Sequence, residues 1–304
     1  MRVLITGIAG GLAREVAGIL VREGDSVVGV DYRAVAPGAP LPESVPIFRA
    51  HYYKTAIEDV FRQGPFDAVL HLGRVGNLSE RAEKRFNLNV VGSKKVLSLC
   101  VAQGVKRLVV LSTFHIYGAH QHNHTPISEE DPLRAGLDFP QIADAIQLDA
   151  ISAELVYRHP EMGTVVLRPT NVVGRTIQNT MSSLLRLGRV PKLAGFNPMT
   201  QFVHASDLAR AVVAAMRGEG RGVFNVAGPT ELPWATAIDV CGAKALPVPS
   251  SLVSLYVKTM TAFPAYLVNF LKFPCVITDA AFREQFGYAP RLSMRETLAD
   301  LRPS

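Results

Sequence analysis

Arg2-Val3-Leu4-Ile5-Thr6-Gly7-Ile8-Ala9-Gly10-Gly11-Leu12-Ala13 is the stretch that decides the fold. A short apolar run ends abruptly at glycines, and a helix-like segment from Leu12 to Arg22 follows. A strand turning through glycine into a helix is the opening of a βαβ unit, the context in which a glycine pattern carries meaning. Gly7 permits the tight turn, Gly10 lets the backbone approach a pyrophosphate at the helix N-terminus, and the small Ala13 keeps helix and strand close. Gly7, Ile8, Ala9, Gly10, Gly11 and Leu12 are therefore expected to cradle a dinucleotide. The next strand, Ser26 to Val30, runs into Asp31, whose carboxylate is placed to accept hydrogen bonds from adenosine ribose hydroxyls. An acid there repels a 2′-phosphate and favours NAD over NADP, although Arg14 and Arg33 lie near enough in sequence to blunt the preference.

Outward from this unit the pattern repeats. Ala68 to His71 and Arg107 to Leu111 read as strands, as does Thr164 to Leu167. Long helix-like stretches at Glu80 to Ala102 and Ile142 to Arg158 separate them. Strands separated by helices require parallel pairing with right-handed crossovers, hence a Rossmann-type, doubly wound α/β sheet with helices on both faces. After Gly174 short strands (Gln201 to His204, Gly222 to Val226) mix with helices (Ala205 to Met216, Asp279 to Phe286, Met294 to Leu301). That divides the chain into a dinucleotide-binding domain, 1–174, with later segments returning to it, and a smaller C-terminal lobe, 175–304.

Composition agrees with a globular protein: 304 residues, 48% apolar and 19% charged. A net charge of +6 suits an anionic ligand, and the absence of any basic run argues against a nucleic-acid surface. Cys100, Cys241 and Cys275 are too far apart for a metal motif and odd in number, which points to a reducing cytoplasm. Met1 leads straight into a strand-like run, so no signal peptide is expected. Leu246 to Ile277 is mostly apolar, but Lys258, Pro264 and Lys272 interrupt it well short of the roughly 20 residues a spanning helix needs. Buried helices are the plain reading of that segment. A protein-partner or membrane-surface face is the alternative.

These motifs together resemble the extended short-chain dehydrogenase/reductase family, the NAD-dependent epimerases and dehydratases of nucleotide sugars. Thr6 to Ala13 is similar to its TGxxGxxG loop, and His71-Leu72-Gly73-Arg74 to its HLAA motif. Asn89 to Thr113 resembles the block NVxGTxxLLxAAxxxGVKRxVxxSS. Leu167-Arg168-Pro169-Thr170-Asn171-Val172-Val173-Gly174 is similar to LRPxNVYG, and Phe202 to Ala209 to FVHVxDxA. The resemblance covers nearly the whole chain. It implies cofactor contacts from the glycine-rich loop, Asp31, Tyr32, Arg33, His51, Leu72, Gly73, Arg74, Asn89, Arg168, Pro169 and Asn171. A homodimer through the long helices is the family habit.

At the catalytic positions the chain departs from the family. Thr113, four residues before Tyr117, stands where the family has the Ser or Thr that hydrogen-bonds the substrate oxygen. The family's YxxxKxxAE helix supplies a proton-exchanging Tyr and a Lys that lowers its pKa. Aligned on Ala153-Glu154, those positions hold Ile146 and Ala150. No lysine occurs between Lys106 and Lys192, so no shift of register restores the pair. Ala50-His51-Tyr52-Tyr53 replaces the family's acidic adenine-binding stretch, with aromatic stacking the expected substitute. Arg74 stands where the family has a small residue. It is expected to meet the pyrophosphate, the alternative being that it fills substrate space.

Asp144, Asp149 and His115 are the remaining groups able to move a proton. His122 and His124 make a weak metal pair with no supporting ligand, so no metal is expected. Two functions follow. One is a catalytically silent NAD(H)-binding sensor, scaffold or regulator with a protein partner. The other is an atypical enzyme on a nucleotide sugar or small hydroxylated substrate, acting through Thr113 and a non-Tyr acid/base.

Overall fold

The computed structural model describes residues 1–76, 80–249 and 266–302. Strand β1 (Arg2–Thr6) passes through the glycine turn into helix α1 (Gly11–Arg22) and on to β2 (Ser26–Asp31). The alternation along β1 explains why its sequence is uniformly apolar. Val3 and Ile5 enter one hydrophobic core while Leu4 enters another on the opposite face, and all three are fully buried. On α1, Leu12, Ala13, Val16, Ala17 and Leu20 form the stripe that buries against the first core.

The chain then continues through β3 (Ile47–Arg49), α2 (Ala56–Phe61), β4 (Ala68–His71), α3 (Ala82–Phe86), α4 (Ser93–Ala102) and β5 (Arg107–Leu111). A short α5 (Ala135–Asp138) precedes α6 (Ala143–Arg158), β6 (Gly163–Pro169) and β7 (Asn171–Val173). Next come α7 (Thr180–Leu185), β8 (Arg189–Leu193), β9 (Met199–His204), α8 (Ala205–Arg217) and β10 (Gly222–Val226). The described residues end with β11 (Glu231–Pro233), α9 (Trp234–Val240), β12 (Lys244–Val248), α10 (Leu267–Phe270), α11 (Ala280–Phe286) and α12 (Met294–Ala299).

Seven strands make one parallel sheet in the order β10-β6-β5-β4-β1-β2-β3. The order reverses direction between β1 and β4, which opens a crevice beyond their C-terminal ends, where such sheets take ligands. One face is covered by α1 and α8 and the other by α2, α4 and α6. Strand β10 lies beyond residue 174, so the later chain does return to the first sheet. Beyond this sheet lie a three-stranded sheet (β11-β9-β7), a β12-β8 pair, and a separate core around Phe202 and Trp234.

One expected element differs in detail. The helix-like stretch from Glu80 to Ala102 is α3 and α4 joined by a π-helical segment, Asn87–Gly92. The wider turn carries Asn89 inward, where its amide binds both backbone groups of Val75 (2.8 and 2.9 Å) and Asp144 (2.6 Å). Of the apolar run 246–277, residues 250–265 lie outside the described part. The portion that follows packs inward, with Tyr266, Leu267, Phe270, Cys275 and Ile277 in one cluster with Phe114 and Phe139. Among the described residues no helix is long and apolar enough to cross a membrane.

Candidate functional site

At the mouth of the sheet, the Gly7 N–H donates to the Val30 carbonyl (2.8 Å) and the Gly10 N–H to the Gly7 carbonyl (2.8 Å). Gly7 has φ of +80°, and a Cβ there would lie 2.5 Å from Gly73 Cα. Only glycine satisfies both demands. No side chain caps α1, so its first-turn amides face the crevice without a side-chain acceptor. An uncapped helix N-terminus behind a glycine turn is an anion-binding arrangement, and it fits a pyrophosphate.

Asp31 is buried behind this loop. Its carboxylate accepts from the Ala9 N–H (3.1 Å) and the Arg33 N–H (2.9 Å), and the Arg33 guanidinium lies 3.3 Å away. Tyr32 and His51 stack at 5.4 Å, which makes an aromatic wall beside Asp31. Burial, reinforced by Lys54, Lys84 and Arg49, holds the His51 pKa below its usual value, and its Nδ1 is buried without a partner. A neutral ring with a free nitrogen beside the ribose position suits an adenine edge. The observations at both ends of the loop therefore fit a dinucleotide.

The His71 of the third-strand motif serves the architecture. Its Nδ1 meets Thr6 Oγ1 at 2.8 Å and its Nε2 meets Ser93 Oγ at 2.7 Å. Burial lowers its pKa to about 4, which keeps it neutral, and Thr6 Oγ1 in turn accepts from the Gly73 N–H (3.2 Å). This chain of contacts fixes the exit of β4 against the glycine loop. Leu72 is buried there, while Tyr52 presses so closely on Gly73 that a Cβ would lie 2.4 Å from its hydroxyl.

Farther along the sheet edge lies a crevice of about 120 Å³ lined by Arg74, Thr113, His115, Asp144, Asn171 and Tyr266, among others. Thr113 lies two residues beyond β5 in extended conformation, and its hydroxyl accepts from the His115 N–H at 3.4 Å. Burial, aided by the Arg74 charge, lowers the His115 pKa to about 3 and leaves its Nε2 unpartnered. Burial raises the Tyr266 pKa to about 12, with Arg74 and Arg85 opposing the rise. Asn171 is tied to the Gln201 carbonyl (3.0 Å), and Pro169 also lines the crevice.

Helix α6 presents Asp144 and Ala145 to this crevice, with Ile142 just ahead of its first residue. Ile146 turns toward α5, with its Cδ1 4.0 Å from where a Gly136 Cβ would sit, and Ala150 is exposed. The crevice-facing register thus runs one residue ahead of the one set by Ala153-Glu154. In either register the two positions, Ile146 and Ala150 or Ala145 and Asp149, hold neither Tyr nor Lys. Asp149 and Arg168 lie behind the crevice. Arg168 binds Asp149 through Nε (3.0 Å) and Nη2 (2.6 Å) and donates to the Tyr117 hydroxyl (2.8 Å). Ser112 completes the cage at 2.5 Å from Asp149 Oδ1. With its carboxylate held on three sides, Asp149 is unsuited to replace the missing Tyr. The Arg168 guanidinium is likewise committed to the protein interior.

The histidine loop brings His120 and His122 to 5.4 Å between ring centres, and His124 Nδ1 lies 3.9 Å from Asp131. Among the described residues no group of three or more His, Cys, Asp or Glu is arranged to hold a metal ion.

The glycine loop, the buried acid and the seven-stranded parallel sheet coincide with a family model, "NAD dependent epimerase/dehydratase family", that matches residues 3–227. The chain belongs to that family. Curated relatives of this epimerase/dehydratase chain include an uncharacterised protein of Mycobacterium tuberculosis, 26% identical over 291 residues (90% of this chain, 75% of the relative). A UDP-glucose 4-epimerase of Azospirillum brasilense is 28% identical over 254 residues (74% of this chain, 72% of the relative). Among solved structures, the Thermus thermophilus UDP-glucose 4-epimerase in complex with NAD superposes with a TM-score of 0.78 at 21% identity, covering 99% of this chain and 97% of that one. Pal from Bacillus thuringiensis gives 0.81 at 17% identity, with the same coverage. These likenesses show the Rossmann-like α/β fold of epimerases and dehydratases.

Sequence reasoning had no signal for Tyr266 or Asn179. Both reach the crevice from segments without a motif, Tyr266 from the end of the apolar run.

Proposed function

We propose that this protein binds NAD(H) across the C-terminal edge of the sheet and is catalytically silent toward the hydride chemistry of its family, acting as a sensor, scaffold or regulator. Gly7, Gly10 and the open amides of α1 hold the pyrophosphate. Asp31 takes the adenosine ribose, and Tyr32 with His51 flanks the adenine. Bound NAD supplies a hydride-accepting nicotinamide; the chain supplies Thr113 beside it and no Tyr–Lys pair. The observation that carries the reading is the crevice lining at the start of α6, where Ala145 and the preceding Ile142 stand and the nearest acid, Asp144, is bound to Asn89. Without a general acid–base the chemical step loses a contribution of roughly 10²–10⁴-fold.

Two measurements test this. Mass spectrometry of small molecules released from denatured, freshly purified protein, paired with NAD⁺ and NADH calorimetry, is expected to find nicotinamide dinucleotide bound. No binding of either form sinks the proposal. Incubation with UDP-glucose, a ligand that solved neighbours bind, is expected to leave NAD⁺ unreduced at 340 nm (about the nicotinamide absorbance maximum) and the sugar unepimerised.

One observation favours a second reading. Tyr266 brings a phenol into the crevice within the electrostatic reach of Arg74, from a different part of the chain than the family's Tyr. In that reading Tyr266 exchanges the proton and Thr113 polarises the substrate oxygen. Turnover in the wild type that is abolished by both Tyr266→Phe and Thr113→Ala would establish it.

A further inference from the structure

We propose that the crevice beneath Thr113 binds a small carboxylate ligand, a hydroxy or keto acid of a few carbons, through the Arg74 guanidinium. The inference rests on reading the crevice as the ligand end of the NAD site, and it names the chemistry of what enters.

Arg74 follows Gly73 where β4 leaves the sheet. Its Nη2 lies 3.6 Å from where a Gly76 Cβ would be, and the residue lines the crevice with Thr113, His115, Asn171 and Tyr266. Among the described residues it makes no ion pair and no side-chain hydrogen bond, whereas Arg33, Arg168 and Arg217 are each matched to an acid. Among the described residues, the single acid lining the crevice is Asp144. It already accepts from Asn89 Nδ2 at 2.6 Å and pairs with Arg85 at 3.6 Å.

A guanidinium carries five N–H donors in a planar fork and does not give up its proton at ordinary pH. The side chain is half-buried, and burial holds the Arg74 pKa below its usual value although the Asp144 charge opposes the fall, so the fork faces the crevice with its donors open to a ligand. A carboxylate is the acceptor that fits this fork in two parallel hydrogen bonds. The rest of the lining suits the remainder of such a ligand. Thr113 and the free Nε2 of neutral His115 can bond a hydroxyl or keto oxygen, and Ile142 and Ala145 cover the carbon chain. A diphosphate fits less well, since Arg74 is the only cation among the described lining residues and the cavity measures about 120 Å³.

The test uses sodium glycolate and sodium glycerate as probes, with ethylene glycol and glycerol as their uncharged counterparts. Ionic strength is held constant with sodium chloride, and NAD⁺ is saturating. Calorimetry and thermal melting are expected to show binding of the two acids and not of the neutral polyols. Arg74→Gln is expected to weaken the acids by roughly tenfold to a hundredfold, and Arg74→Lys to recover part of the loss. Arg74→Gln should melt in plain buffer close to the wild type, because among the described residues Arg74 makes no ion pair and no side-chain hydrogen bond, and should keep NAD⁺ affinity within about threefold.

The proposal is overturned by no binding of either acid up to roughly 0.1 M, by equal binding of the neutral polyols, or by binding unchanged in Arg74→Gln. A loss of NAD⁺ affinity beyond about tenfold in that variant also overturns it, because it returns Arg74 to the pyrophosphate. The wild-type NAD⁺ titration is a separate readout. A chain that takes glycerate but no NAD⁺ sinks the nucleotide reading and leaves the carboxylate site standing.

Discussion

Arg168 clasps both carboxylate oxygens of Asp149, at 3.0 and 2.6 Å, in the interior between β6 and α6. The pair locks α6 to the sheet directly behind the crevice lined by Thr113 and His115. Removing one partner strands a buried charge. Asp149→Asn is therefore expected to lower unfolding free energy by about 3–5 kcal/mol. Replacing both residues together with apolar ones should cost less than the sum of the single changes. Urea denaturation of the two single variants and the double one measures this, and an unchanged midpoint for Asp149→Asn refutes it.

Gly7 and Gly24 both have positive φ, +80° and +87°, yet their surroundings differ. A Cβ at Gly7 meets the backbone of Gly73 at 2.5 Å, while at Gly24 it meets nothing within 4 Å. Gly24→Ala is expected to cost only the conformational strain, about 1–2 kcal/mol, with nucleotide binding intact. Gly7→Ala adds a clash with the loop that holds the pyrophosphate, so it should also reduce NAD⁺ affinity by at least about tenfold. Equal NAD⁺ affinity in the two variants would argue against the loop as the binding site.

Arg33 lies over Asp31, and its charge opposes that of Arg14 across the start of α1, where burial and Arg33 both lower the Arg14 pKa. A 2′-phosphate would meet these two cations as well as the acid. Arg33→Ala is expected to weaken NADP⁺ by roughly tenfold or more while changing NAD⁺ little, and so to widen the preference for NAD⁺. Competitive titration of the two nucleotides reads the ratio, and a loss that is equal for both removes Arg33 from selectivity.

His71 and His115 are held neutral by burial, with pKa values of about 4 and about 3. In the unfolded chain each titrates near 6.5, so between pH 6.5 and 4 the unfolded state takes up protons that the native state does not. This contribution to stability is complete above pH 6.5 and is lost as the pH falls through that window, on the order of 3 kcal/mol for His71. Urea midpoints from pH 7 to 4 should decline accordingly, and His71→Asn should decline less steeply. A wild-type midpoint that stays flat across the window contradicts the buried neutral assignment.

Much of this protein was decided by local chemistry that the sequence displays. The apolar run of β1, the glycine turn and the stripe on α1 specify a parallel sheet and a nucleotide loop because each requirement concerns neighbouring residues and backbone conformation. That no lysine lies between Lys106 and Lys192 is equally legible. The crevice itself was not legible. Which face of α6 looks into it is settled by how Asp149 and Ser152 bury against the sheet, and that packing turns Ala145 inward and leaves Ala150 exposed. Arg168 and Asp149 are 19 positions apart, and only the pairing of β6 beside β5 under α6 brings them into one cage. Tyr266 and Arg74 share a crevice because the C-terminal segment folds back over the end of β4. Such a contact depends on where two distant segments pack, and no periodicity along the chain encodes it.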